Sequence, residues 1–120
     1  MMRLAAGAIV LVDWRGGARP KEPNKLRPAI VVEDNGLFSD DYPNIIVVPL
    51  TEDTELAMPS MSVTIDPSAE NGCTKRCHAL APSVTAVSLE RVRPTGSRVT
   101  AGQLRQLRSM IAEAIGLVAG

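Results

Sequence analysis

The chain has 120 residues, with 13 Lys and Arg balancing 13 Asp and Glu. This length fits one domain spanning 1–120 and able to bury a real core. One Trp, one Tyr and one Phe are its only aromatics, so the core is aliphatic, and their scarcity argues against a base-stacking platform for single-stranded nucleic acid. No stretch approaches the ~18 apolar residues of a membrane span, so no membrane association is expected. Arg3 and the apolar run Leu4 to Val12 lack a small-residue cleavage site, and Gly7 interrupts the run. They read as a first strand rather than an export signal, and two cysteines without such a signal point to the cytoplasm.

In chain order, Ala8 to Asp13 reads as a strand entered through Gly7. Trp14 to Leu26 holds glycines, prolines and an asparagine and reads as a long loop. Residues 14–27 carry Arg15, Arg19, Lys21, Lys25 and Arg27 against Glu22 alone. Pro28 to Glu33 is strand-like, with a proline suited to a strand start or edge. Asp34-Asn35-Gly36 is a turn, and Leu37 to Asn44 a polar connection. Ile45 to Leu50 is an unbroken apolar run that suggests a strand buried on both faces.

Met61 to Asp66 alternates as a fourth strand, and Pro67 to Arg76 reads as a second long loop. Val84 to Val92 reads as a fifth strand, with Val84, Ala86 and Val87 turned inward and Pro94 and Gly96 breaking the chain after it. Pro28 to Thr74 contains acids only, and Lys75 to Arg108 is basic apart from Glu90. Such blocks make either a two-faced surface that attracts an anion on one side or solvated loops whose charges intermix. The last segment is a helix: Thr100 and Gln103 have capping-box spacing. Leu104, Leu107, Ile111, Ile115 and Val118 recur on one face, and Gly116 is a terminator. The sum is a mainly β, α+β chain: a strongly bent antiparallel sheet or half-open barrel of about five main strands with a C-terminal helix laid against it.

Two polar groups stand out. Arg27 enters one β-branched run and Thr51 leaves the other. A guanidinium holds two phosphate oxygens and neutralises charge that develops in a transition state, and a hydroxyl beside it adds a donor. As isolated residues they also read as a surface arginine and a turn-forming threonine. Cys73, Cys77 and His78 form Cys-x-x-x-Cys-His, too few ligands for a structural zinc and one residue off the haem signature. Loop thiols that oxidise to each other are the better account, and no metal or cofactor is expected. His78 has a pKa suited to a catalytic base, but its position reads as loop. Trp14, as a lone aromatic, reads as core first and as a base or partner contact second.

Four stretches in register resemble the MazF/PemK family of toxin endoribonucleases. They are Gly7 to Asp13, then Glu22 with Arg27-Pro28-Ala29-Ile30-Val31-Val32, then Val47-Val48-Pro49-Leu50-Thr51. The fourth runs from Pro82-Ser83-Val84 through Leu89-Glu90-Arg91-Val92 to the Thr100 helix entry. The resemblance implies an SH3-like, half-open barrel, a homodimer with an RNA groove at its interface, and a cognate antitoxin that silences it. It further implies metal-independent cleavage of single-stranded RNA by 2′-hydroxyl attack, giving 2′,3′-cyclic phosphate and 5′-hydroxyl ends. Arg27 and Thr51 match the family's catalytic arginine and threonine, and Glu22 matches a loop acid that serves as general base or RNA contact. Arg15, Arg19, Lys21 and Lys25 would grip phosphates, and Ser83 would approach the site. The Arg and Asp that some PemK-branch members carry on the late strand are here Ala86 and Ser88, which favours a MazF-type arrangement. Two other readings compete: a non-enzymatic gyrase poison of the related CcdB type, and a catalytically inactive antitoxin-binding homologue.

Overall fold

A computed structural model describes residues 3–14 and 26–117. Among them are seven strands and one α-helix. The strands are β1 (Ala8–Asp13), β2 (Leu26–Val31), β3 (Asn44–Thr51), β4 (Ser62–Ile65), β5 (Cys77–Leu80), β6 (Thr85–Ser88) and β7 (Val92–Arg98); helix α1 is Ala101–Ala114. All pairings are antiparallel. The sheet order is β4-β5-β3-β2-β1-β7, with β6 also on β3, and the ends do not meet to close a barrel. No helix of the described residues is long and apolar enough to cross a membrane.

β3 organises the sheet. One edge pairs with β2. On the other edge, Asn44 to Val47 pair with β6, while Leu50 and Thr51 pair with β5. Pro49 falls between those two ladders, where its missing N–H leaves no bond unmade. Because successive side chains alternate faces, the apolar run serves two cores. Ile45 and Val47 join Val10, Val12, Ala29 and Val31 on one face. Val48 and Leu50 join Ile30, Val63, Ile65, Ala79 and Leu107 on the other. The expectation of burial on both faces is met, and Trp14 packs at the edge of the first cluster.

Three readings of the sequence are corrected. Val84 to Val92 is not one strand: β6 ends at Ser88, whose Oγ accepts from Glu90 N at 3.3 Å to start the single turn Leu89–Arg91, and β7 follows. β7 passes through Pro94 and Gly96 instead of ending there. It is an edge strand paired only with β1, with a register shift between Ala8 and Val10, so an edge proline costs no central bond and the irregularity is absorbed locally. Ala86 is exposed, whereas Val84 and Val87 do pack against the cores.

β5 is a strand that periodicity did not reveal. Its four residues, Cys77 to Leu80, are too short for a pattern and include a histidine. Their conformation comes from tertiary pairing with β4 and β3. The sheet therefore has seven strands rather than about five.

α1 begins as expected. Gln103 N donates to Thr100 Oγ1 at 3.0 Å and Thr100 N donates to Gln103 Oε1 at 2.9 Å. It ends in a Schellman arrangement in which Gly116, at φ +78, donates to Glu113 O at 3.0 Å and Leu117 N donates to Ala112 O at 2.8 Å. Its packed face is Leu104, Leu107, Met110 and Ile111. Ile115 lies past the last turn and is 67% exposed, so the apolar stripe is buried only as far as Ile111; Val118 lies outside the described residues. Arg108 fastens the helix to the sheet by donating to Val32 O at 3.0 Å and Glu33 O at 2.8 Å.

The described N-terminus is held by an ion pair. Arg3 Nε and a terminal nitrogen donate to the two carboxylate oxygens of Glu33 at 2.9 and 3.1 Å. Only 7% and 3% of the two side chains are exposed. Glu33 also accepts from Ile46 N at 3.1 Å, and Arg3 donates to Tyr42 O at 2.7 Å and lies over the Phe38 and Tyr42 rings. Removing one member of such a pair strands the other charge in the interior. Glu33→Ala is therefore expected to lower unfolding free energy by about 3 kcal/mol, read by urea denaturation. The double variant Arg3→Met, Glu33→Ala should recover part of that loss, because no orphan charge remains.

Candidate functional site

The β2–β3 ladder pairs Val31 with Val47, Ile30 with Val48 and Ala29 with Pro49, and no further pair follows. The ladder stops at Pro28, which would stand opposite Leu50 and offers no N–H to it. Continued by two residues, the same register sets Arg27 against Thr51. A cleft of about 550 Å³ opens there, and both residues line it. The guanidinium and the hydroxyl singled out in the sequence thus converge on one cavity.

The floor is apolar and comes from Ile9 and Leu11 of β1, Pro28 of β2 and Leu50 of β3. Glu52 and Asp53 form one lip, directly after Thr51. Asn71 to Lys75 also line the cleft, together with Thr95 and Ser97 of β7. Sequence reading placed residues 71–75 in an unassigned loop. Asn71 shows why they are ordered here: its buried Oδ1 accepts from Ser68 N at 3.0 Å and Cys73 N at 2.9 Å, while Nδ2 donates to Asp66 O at 2.8 Å. A side chain at Gly72, φ +65, would place a Cβ 2.7 Å from Ser97 Oγ, so the close approach of this loop and β7 requires glycine. The Asp66-to-Cys73 segment carried this signal only as an Asn-Gly pair, which marks a turn without saying what it packs on.

Arg27 is exposed and its side chain has no hydrogen-bond or ion-pair partner among the described residues. Its donors are available to an anion. Thr51 Oγ1 accepts from Asp53 N at 3.1 Å, which uses an acceptor site and leaves the hydroxyl hydrogen to donate. The turn-forming role of Thr51 and a ligand-binding role are therefore compatible. Asp53 in turn accepts from Glu55 N at 2.9 Å and starts the short turn Thr54–Leu56. Lys75 is a second basic residue in the lining.

The other sequence candidates fall elsewhere. Arg15, Arg19, Lys21, Glu22 and Lys25 lie outside the described residues. Ser83 is exposed on the turn Ala81–Ser83, which packs against α1, and is not among the residues lining the cleft. His78 is in β5 rather than in a loop, opposite Thr51 in the ladder. It is buried, its Nδ1 is 3.1 Å from Thr64 Oγ1, its Nε2 has no partner among the described residues, and it does not line the cleft. Cys73 and Cys77 are unbonded thiols with sulfurs 3.6 Å apart. Among the described residues no three or more His, Cys, Asp or Glu side chains are grouped to hold a metal ion.

A family model described as PemK-like, MazF-like toxin of type II toxin–antitoxin systems matches residues 5–115. The chain belongs to this family of toxins. Its fold is that of three solved structures in particular. An endoribonuclease in complex with its cognate antitoxin from a mycobacterial species superposes with a TM-score of 0.73 at 19% identity, covering 98% of this chain and 100% of that one. The MazE–MazF complex from Deinococcus radiodurans gives 0.70 at 20% identity, covering 96% and 97%. The Mycobacterium tuberculosis toxin MazF-mt6 gives 0.67 at 18%, covering 93% and 99%. A comparison with curated protein sequences gives no match.

Burial, then the neighbouring Cys73, push the Cys77 thiol from 9.0 up to about 12. The folded chain keeps this proton where the unfolded chain has lost it. The associated stability is complete below pH 9 and is lost as pH rises toward about 12. Urea titrations across that window should show a downward slope that is shallower in Cys77→Ala. Alkylation by iodoacetamide at about pH 8.5 should modify half-buried Cys73 well before Cys77, as read by peptide mapping.

Proposed function

We propose that this toxin cuts single-stranded RNA at the cleft between Arg27 and Thr51, without a metal ion, by attack of a ribose 2′-hydroxyl on the adjacent phosphate. The products are a 2′,3′-cyclic phosphate and a 5′-hydroxyl end, and the consequence is arrested translation and growth. The observation that carries this reading is that Arg27, whose guanidinium has no partner among the described residues, and Thr51, whose hydroxyl can still donate, line one open cleft. Family membership supplies the reaction class.

Each group has a defined task. Arg27 binds two non-bridging oxygens of the scissile phosphate and opposes the charge that builds on them as the phosphorus becomes pentavalent. Thr51 donates to one of these oxygens and fixes its orientation. Lys75 holds a neighbouring phosphate, and Arg15, Arg19, Lys21 and Lys25 extend that grip along the strand. Ser83 is proposed as an RNA contact beyond the cleft. Removal of the 2′-hydroxyl proton falls to a carboxylate. Glu22 is the family's candidate, and Glu52 on the Thr51 lip is the alternative within the cleft.

The toxin acts as a homodimer in the cytoplasm and is held silent by a cognate antitoxin. The endoribonuclease and MazF relatives named above as complexes with an antitoxin support that partner. Such an antitoxin occupies the basic groove with an acidic or amphipathic segment.

Cleavage of a long single-stranded RNA by the purified protein in EDTA tests the reaction. Arg27→Ala should lower the rate by about 100-fold or more. Thr51→Val should lower it about tenfold, in proportion to one lost hydrogen bond. Comparing Glu22→Gln with Glu52→Gln identifies the base, since only the true base shifts the acidic limb of the pH profile. Absence of cleavage by the unmodified protein, or cleavage only with added metal, would overturn the mechanism. Sedimentation equilibrium should return about twice the 12.8 kDa chain mass.

A further inference from the structure

Cys73 and Cys77 take no part in the phosphate chemistry, yet both line the same cleft. Their sulfurs are 3.6 Å apart, and each backbone is anchored. Cys77 stands in β5 opposite Ile65 of β4. Cys73 N donates to the buried Asn71 side chain at 2.9 Å. A disulfide needs the sulfurs to close to about 2 Å, a movement that rotation of half-buried Cys73 can supply. Between them lie Thr74, Lys75 and Arg76, so the bond would close a short ring that includes Lys75, a basic residue of the lining.

We propose that Cys73 and Cys77 are an oxidative modification site, a dithiol that a hydroperoxide converts to an intramolecular disulfide in the lining of the cleft, on either side of Lys75 in the chain. The effect on RNA rests on the ribonuclease reading above; the chemistry of the site does not.

The reaction has two steps. The Cys73 sulfur, as thiolate, attacks the terminal oxygen of the hydroperoxide and the O–O bond breaks. Cys73 becomes a sulfenic acid, and the rest of the peroxide leaves as water or an alcohol after taking up the thiol proton. The Cys77 sulfur then attacks the Cys73 sulfur, the S–S bond forms and the S–O bond breaks. The departing hydroxide takes the Cys77 proton and leaves as water. For hydrogen peroxide the sum is two thiols and one peroxide giving one disulfide and two waters. The order follows from access and acidity: Cys77 is buried with its thiol pushed up to about 12, so Cys73 meets the oxidant and Cys77 resolves it.

The test uses the reduced full-length protein and hydrogen peroxide, followed by dithiothreitol, with all measurements on one sample. Intact mass should fall by about 2 Da as both thiols disappear, and RNA cleavage should fall about tenfold, as for loss of a phosphate contact. Dithiothreitol should restore both. Cys73→Ser and Cys77→Ser should each lose the 2 Da product and the peroxide sensitivity of cleavage. If buried Cys77→Ser does not fold, Cys73→Ser carries this arm. Stable sulfenic or sulfinic products without the 2 Da loss, or disulfide-linked dimers in its place, would overturn the site. Unchanged cleavage after the 2 Da loss would overturn its effect. If the reduced protein cuts no RNA, the ribonuclease reading fails, and acetylation of Lys75 by an active ester, mapped by mass spectrometry, decides the rest. Altered Lys75 labelling on oxidation supports the site, and identical labelling overturns it.

Discussion

The antiparallel pairing of β2 with β3 sets Ala29 opposite Pro49, and a slip of one residue would turn every apolar side chain of β2 to the wrong face. With this register, Ala29 and Val31 meet Ile45 and Val47 in one core, while Ile30 meets Val48 and Leu50 in the other. The same register, carried past the last pair, brings Arg27 and Thr51 to one cleft. Packing and chemistry therefore share a constraint. Burial of two aliphatic clusters holds the register, and the register positions the polar groups. Pro28 contributes by what it lacks, since the ladder cannot continue through a residue without an N–H.

Two arginines illustrate how placement decides role. Arg3 is saturated: a carboxylate, several carbonyls and two aromatic rings occupy its guanidinium. It stabilises the join between the described N-terminus, the Glu33 turn and the start of β3. Arg27 is exposed and has no such partners among the described residues. Chemically the groups are identical. Only the unsatisfied one is available to bind an anion, and it stands at the open end of the strand pair rather than at the end closed by Glu33.

The cleft wall shows a second division. Thr51 and Leu50 come from the most regular strand of the sheet, whereas residues 71–75 come from a loop held by one buried asparagine. A rigid strand end combined with an anchored loop suits a site that fixes one phosphate and accommodates a chain. One thiol, Cys73, belongs to this loop, and the other, Cys77, to the strand that follows it.

Elements with strong local signals were legible in the amino-acid order. The apolar run of β3, the alternation of β4 and the Thr100–Gln103 cap each carry their own physical cause, so they form where expected. Arg27 and Thr51 were also visible, because a charged or hydroxyl residue abutting a β-branched run is conspicuous. Pairing decided the rest. β5 is four residues with no period, and it becomes a strand only because β4 and β3 flank it. β7 runs through Pro94 and Gly96 because it is an edge, a property no local window contains. Ile115 leaves the core because it caps α1 past its last turn. The sequence by itself determined which segments are apolar, which are capped and which groups can do chemistry. Tertiary structure determined which of those groups meet, because cross-strand register and the limits of the sheet arise from contacts between residues far apart in the chain.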